Sequence, residues 1–141
     1  MTLKILIEKF KEAASKERNV NYVGVGDVYK LNELPDVDYS VVWLTESQHS
    51  ITVDTSSYGF TVFYIDRQTD AVDNTLKVHS DGMIKIQNIL NRLTELCDDE
   101  IEIQYPISFT PFNQRFADDC TGLFCSIKID TDNDISMCVF D

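Results

Sequence analysis

Two histidines, four cysteines and several adjacent carboxylates are the residues of this chain whose chemistry reaches beyond packing. His49 and His79 fall in segments that read as a loop and a helix cap. A hydrolytic triad needs a base held by a third group and set beside a nucleophile, and no stretch marks such a set. Cys97, Cys120, Cys125 and Cys138 form no CxxC pair and no zinc spacing, so they read as buried free thiols in a reducing compartment. Asp98 with Asp99, and Asp118 with Asp119, are neighbouring acids at element ends, where carboxylates cap or solvate more readily than they exchange protons. Asp130, Asp132 and Asp134 have the spacing that opens a calcium loop. The sixth position of such a loop needs Gly and the twelfth a bidentate Glu, and this chain has Ile135 and Asp141 there, so a solvated hairpin turn is the simpler reading. Gly24 and Gly26 begin a dinucleotide fingerprint, but its third glycine position is Tyr29, and Pro35 follows where a helix N-terminus would have to meet the pyrophosphate. The residues therefore point to no enzymatic activity, no metal and no cofactor, and to a chain that works through its surfaces.

Composition agrees with that. At 141 residues and 43% hydrophobic, the chain suits one domain, 1–141, with a real core. The net charge of −12 is spread along the length, and no cluster of Lys and Arg exists to neutralise phosphates. A negative surface still suits a wall along which DNA slides without sticking. Lys4, Glu8 and Lys9 interrupt the N-terminal apolar residues, which leaves neither a signal peptide nor a membrane span.

The strongest periodicity lies in residues 80–97, where Met83, Ile86, Leu90, Leu93 and Cys97 recur at steps of three and four and Ile89 and Leu96 widen the stripe. Ser80 or Asp81 is the expected cap, with Gly82 in the first turn. Residues 2–16 predict a second amphipathic helix with Leu3, Leu6, Ile7, Phe10, Ala13 and Ala14 on one face and Asn19 as its stop. Residues 22–28 read as a strand, in which glycine marks a bulge or a close backbone approach. After a connection at 30–38, residues 39–45, 50–53 and 58–66 are rich in β-branched and aromatic types. They predict a three-strand meander with hairpins at 46–49 and 54–57. Residues 67–74 form a polar loop and 75–78 lead into the helix. Beyond it, 98–100 reads as an acidic turn, 101–110 as extended, 111–121 as irregular, and 122–130 and 136–140 as strands joined by a turn at 131–134. This order predicts an α+β fold with two amphipathic helices packed on one face of a mainly antiparallel β-sheet.

Both alternating sets along residues 58–65 hold large apolar groups: Tyr58, Phe60, Val62 and Tyr64 on one side, Phe63 and Ile65 on the other. The expectation is helices on one face of the sheet and a partner on the other. Expected interface positions are Trp43 and Phe63 on the sheet, and Phe112, Arg115, Phe116, Asp118 and Asp119 in the 111–119 segment, whose aromatic and Arg types are enriched at binding hot spots. The loops at 30–38 and 45–57 join them.

The chain resembles small structural proteins of tailed bacteriophages. The element order is similar to the tail-completion or tail-terminator fold. The segments Asn21-Tyr-Val-Gly-Val-Gly-Asp-Val-Tyr, Asp38-Tyr-Ser-Val-Val and Gln114-Arg-Phe-Ala-Asp-Asp-Cys-Thr-Gly-Leu-Phe look like pieces of proteins from phages of gut Bacteroides, including the crAss-like group. The resemblance implies a virion component of the neck or tail, made in the host cytoplasm. It implies a homo-oligomeric ring, sixfold or twelvefold, stacked against portal, neck or tail proteins, with DNA passing through the lumen without specific binding and no membrane. It carries no residue-level motif. An alternative from a different class is a small acidic cytoplasmic adaptor or inhibitor that binds a host protein.

Overall fold

Thr2 caps the first helix. Its backbone is extended (φ −88°, ψ 161°) and its hydroxyl accepts from the Ile5 N–H, one of the first-turn donors that no helical carbonyl reaches. The helix that follows, α1 (Leu3–Ser15), lays Leu6, Phe10, Ala13 and Ala14 on the core. The computed structural model describes residues 1–27, 30, 39–67, 74–113 and 120–132. Among them are α1, β1 (Tyr22–Val25), β2 (Val41–Ile51), β3 (Thr55–Arg67), α2 (Thr75–Leu96), β4 (Ile101–Ile103), β5 (Phe109–Asn113) and β6 (Cys120–Asp132). The sheet runs β1-β2-β3-β6-β4. β1 is parallel to β2, and every other pairing is antiparallel. β6 pairs with β3 along its whole length, and its other edge holds β5 beside residues 121–125 and β4 beside residues 129–131. The fold is the expected α+β arrangement, and both helices sit on one face.

Alternation on the paired strands builds two cores. Val42, Leu44, Phe60, Val62, Tyr64, Leu123, Cys125, Ile127 and Ile129 meet the buried faces of α1 and α2. Val41, Trp43, Phe63, Ile65, Phe112 and Cys120 form a second buried cluster. Odd positions on β2 and β3 put Val41, Trp43, Phe63 and Ile65 on the sheet face away from the helices, where Phe112 of β5 and Cys120 of β6 join them.

Four elements differ from the sequence expectation. α2 starts at Thr75, five residues before Ser80, behind Asn74, whose side chain makes no cap and donates instead to the Arg67 carbonyl at 3.1 Å. Gly82 therefore lies in the helix interior and not in the first turn. A Cβ there would come within 2.6 Å of the Tyr64 ring, so the glycine sets how closely helix and sheet approach. Residues 46–49 are not a hairpin. β2 runs through them with a register shift, Glu46 opposite Phe60 and His49 opposite Tyr58, which is one extra residue on β2. The bulge flips the alternation, so His49 and Ile51 follow Glu46 onto the helix side. The real turn is at Thr52, whose N–H donates to the Thr55 carbonyl at 2.7 Å. Residues 109–113, read as the end of an extended run and the start of an irregular one, form β5. Pro111 is accommodated because β5 pairs with β6 on one side only among the described residues. β1 ends at Val25, and Gly26 follows at φ 139°. The expected strand at 136–140 and the residues after 132 in the expected turn lie outside the described residues.

The two helices are joined by a polar clamp. Arg92 donates to the Ala13 carbonyl and to Glu17 Oε2, both at 3.1 Å, and Asn88 donates to Glu17 Oε1 at 3.2 Å. Glu17 is buried, so Arg92→Ala strands its charge. We expect a loss of about 2 to 3 kcal/mol, the low side for a broken buried pair because Arg92 keeps part of its head in water. Chemical denaturation of Arg92→Ala and of Arg92→Ala with Glu17→Gln checks it, and the double variant should recover part of the loss.

Candidate functional site

The three interface positions that the structure describes lie inside the chain. Trp43, Phe63 and Phe112 are 3%, 6% and 9% exposed, all in the second core. The rings of Phe63 and Phe112 meet edge-on at 6.4 Å, and Phe124 lies 5.6 Å from Phe63. Trp43 Nε1–H donates to the Gly26 carbonyl at 3.0 Å, and its ring lies over Gly24, where a Cβ would overlap it. The expectation that a partner covers this face is corrected for these positions, since the chain buries them itself. Alternation reveals which face a side chain takes but not whether that face meets solvent. Arg115, Phe116, Asp118 and Asp119, the 31–38 part of the connecting loop and Cys138 lie outside the described residues.

The groups with chemical potential are absorbed by structure. The Gly59 N–H donates to His49 Nδ1 at 3.2 Å, which places the ring proton on Nε2, 2.9 Å from Glu46 Oε1. His49 also packs edge-on to Tyr58 and Phe60, so it closes the bulge. His79 Nε2 lies 3.0 Å from the hydroxyl of fully buried Thr121, tying α2 to β6. Neither histidine is in a loop or a cap, as the sequence had suggested. The three described cysteines, Cys97, Cys120 and Cys125, are buried. Desolvation pushes the Cys125 thiol up to about 12 and raises Cys97, while the Cys120 thiol lies 3.3 Å from the Tyr39 hydroxyl. Among the described residues no group of three or more His, Cys, Asp or Glu is placed to hold a metal ion, and no helix is long and apolar enough to cross a membrane.

Surface apolar groups gather in two unlike places. The turn between β2 and β3 exposes Ile51 (64%) and Val53 (93%), beside exposed Asp54. On α2, exposed Leu76 (83%) and half-exposed Met83 lie seven residues apart on one line, which runs on to buried Leu90. Met83, Gln87 and Leu90 form one wall of a groove of about 180 Å³, and Tyr105, Ile107 and Phe109 form the other. The turn lies at the end of the sheet where Thr55 pairs with Asp132 and Ile101 with Thr131, just past the C-terminus of α2. A 22-residue helix is about 30 Å long, so Leu76 is nearly that far from this end. The turn's end is also acidic. Asp99, Glu100, Glu102, Asp130 and Asp132 line one shallow basin there. A wider trough of about 660 Å³, with Ser47, Gln48, Gln104, Tyr105, Pro106 and Lys128 in its walls, is polar and apolar in equal parts. Sequence reading missed Leu76 and Tyr105, whereas Ile51 and Val53 fall in the 45–57 segment that it had named as an interface loop. No protein-family model matches the chain, and no curated protein matches it at a significant level, so these surfaces are read from their own geometry.

Proposed function

We propose that this chain is a non-enzymatic structural subunit that assembles with copies of itself into a closed ring, in the neck or tail of a bacteriophage virion. The observation that carries the reading is the pair of exposed apolar patches, the β2–β3 turn and the α2 groove, which differ in shape and face different directions. A two-fold dimer uses one self-complementary patch, whereas a ring joins two different patches head to tail and leaves neither bare. The α+β order of elements, similar to that of tail-completion and tail-terminator proteins, supports the same reading. The net charge of −12 suits a lumen that DNA crosses without sticking. Portal, neck or tail proteins are the stacked neighbours in this proposal.

Light scattering of the purified protein across concentration tests it. The expected result is a discrete species of about six or twelve subunits. Because each subunit carries −12, the assembly should tighten as salt shortens the Debye length from about 30 Å at 0.01 M to about 8 Å at 0.15 M. Dissociation on adding salt would count against it. The acidic basin at the turn's end favours a second reading, an adaptor or inhibitor for a basic host protein. A chain that stays monomeric at every concentration and captures such a protein in one-to-one ratio would support that one.

A further inference from the structure

We infer that His49 is a pH-sensitive latch on the β2–β3 hairpin, holding the bulge closed only while its ring is neutral. The backbone hands the side chain this task. The register steps from Glu46 opposite Phe60 to His49 opposite Tyr58, so Gly59 faces Ser47 and Gln48 without a ladder partner on β2. Its N–H goes instead to His49 Nδ1 at 3.2 Å, while His49 Nε2–H donates to Glu46 Oε1 at 2.9 Å. Gly59 is buried, so loss of that acceptor leaves a donor that only entering water or an opened strand pair can satisfy.

A neutral imidazole has one donor and one acceptor, and both are in use here. An imidazolium has two donors and no acceptor. The second proton therefore sets Nδ1–H against the Gly59 N–H, and a half-turn of the ring offers Gly59 only a carbon, which accepts nothing. The Glu46 carboxylate accepts from Nε2–H in either state, so the ring stays anchored while the Gly59 bond gives way. The titratable groups around the ring are Glu46 on β2, Tyr58 packed edge-on from β3 and, past Tyr58, the amine of Met1, whose carbonyl accepts from the Tyr58 hydroxyl at 3.2 Å. Phe60, the other ring against His49, carries no charge. Among the described residues β1 pairs with β2 only as far as Leu44, so the outer part of β2 is held to the sheet through β3 alone. Acid should therefore loosen residues 47–58, the hairpin end that carries exposed Ile51 and Val53, and leave the rest of the sheet in place.

Nuclear magnetic resonance on the full chain tests this across the range of about pH 7 to 5, within which imidazole changes charge. The ring nitrogens of His49 report tautomer and charge, and hydrogen exchange of the Gly59 amide, corrected for its intrinsic rate, reports the bond. The expected result is the Nε2–H tautomer at the upper pH. As the ring gains its second proton, protection of Gly59 should fall about five- to tenfold, the factor that corresponds to one hydrogen bond, while the amides of residues 62–64 keep theirs. His49→Phe keeps a ring against Tyr58 and Phe60 but offers no acceptor, so its Gly59 amide should exchange fast at both ends of the range, with Met1 and Tyr58 present as before. A His49 that gains its proton with Gly59 protection unchanged would overturn the latch. So would a ring that carries its proton on Nδ1 at the upper pH, a ring that stays neutral until the chain unfolds in acid, or a loss of protection shared equally by residues 62–64. The wild-type titration decides alone if His49→Phe fails to fold.

Discussion

Gly122→Ala should leave little folded protein. A Cβ at this position would sit 1.9 Å from the Tyr64 carbonyl oxygen and 3.1 Å from the Ile65 Cα. Those are backbone atoms of β3, the strand that β6 pairs with over thirteen residues, and on its other side Gly122 faces Phe112 of β5. β6 cannot move away from one neighbour without pressing on the other or opening a ladder, so relaxation is expensive. We expect a loss of more than about 4 kcal/mol, set against a total stability of about 5–15 kcal/mol for an ordinary domain. Far-ultraviolet dichroism and a urea titration measure it. Gly24→Ala is the control. Its Cβ would overlap the Trp43 ring at 2.1 Å, but the obstacle is a side chain against the edge strand β1, which can swing at the cost of its bond to the Gly26 carbonyl. It should destabilise the chain less than Gly122→Ala. If Gly122→Ala unfolds at the wild-type urea midpoint, the tight β3–β6 crossing at this residue is wrong.

The protein should also lose stability steeply in alkali, and Cys125 should account for a defined part of the loss. Burial holds this thiol protonated, raising its pKa from 9.0 to about 12 in the folded chain. Below pH 9 both states carry the proton and the group favours neither. Between 9 and 12 the unfolded chain releases a proton that the folded one keeps, so stability falls with rising pH by about 1.4 kcal/mol per unit, about 4 kcal/mol across the window. Cys97, also raised by burial, shifts the balance in the same direction. Tyrosine and lysine titrate in this range as well, so the measurement is a comparison. Unfolding free energies from urea titrations at several pH values above 9 should fall less steeply for Cys125→Ala than for wild type, by about one proton's worth of slope. Equal slopes would mean that Cys125 is not held as a thiol. The same protonated state explains why it makes a poor nucleophile, although sequence alone shows only that it has no His beside it.

How much of this was legible beforehand differs from element to element. The apolar stripe on α1, its Thr2 start and the buried part of α2 follow from 3.6-residue spacing and capping chemistry, both local properties. The α+β class follows from the order of the patterns, and the close approach at Gly24 from a glycine within a strand. The five extra residues at the start of α2 were not legible, because Thr75 to His79 hold only one core side chain, Val78, and that becomes a helical signal only when β3 and β6 lie beneath it. The bulge at residues 46–49 has the composition of a turn. It remains strand because His49 can bond the Gly59 N–H across the ladder, a contact between residues ten apart.

The candidate site divides in the same way. The sequence by itself determined that the chain has a core, a strong negative charge, a mixed helix and sheet architecture, and no local arrangement of residues marking a hydrolase, a zinc site or a nucleotide loop. Only the tertiary structure decided which apolar residues stay outside. Trp43, Phe63 and Phe112, chosen as aromatic surface anchors, were drawn into a second core, while Ile51, Val53, Leu76 and Met83 remained in solvent. The physical reason is that hydrophobicity belongs to a residue, whereas exposure depends on what the rest of the chain lays over it. A period of two alone would put Trp43 and Ile51 on one face; the bulge turns Ile51 to the other, and only Trp43 has chain folded across it.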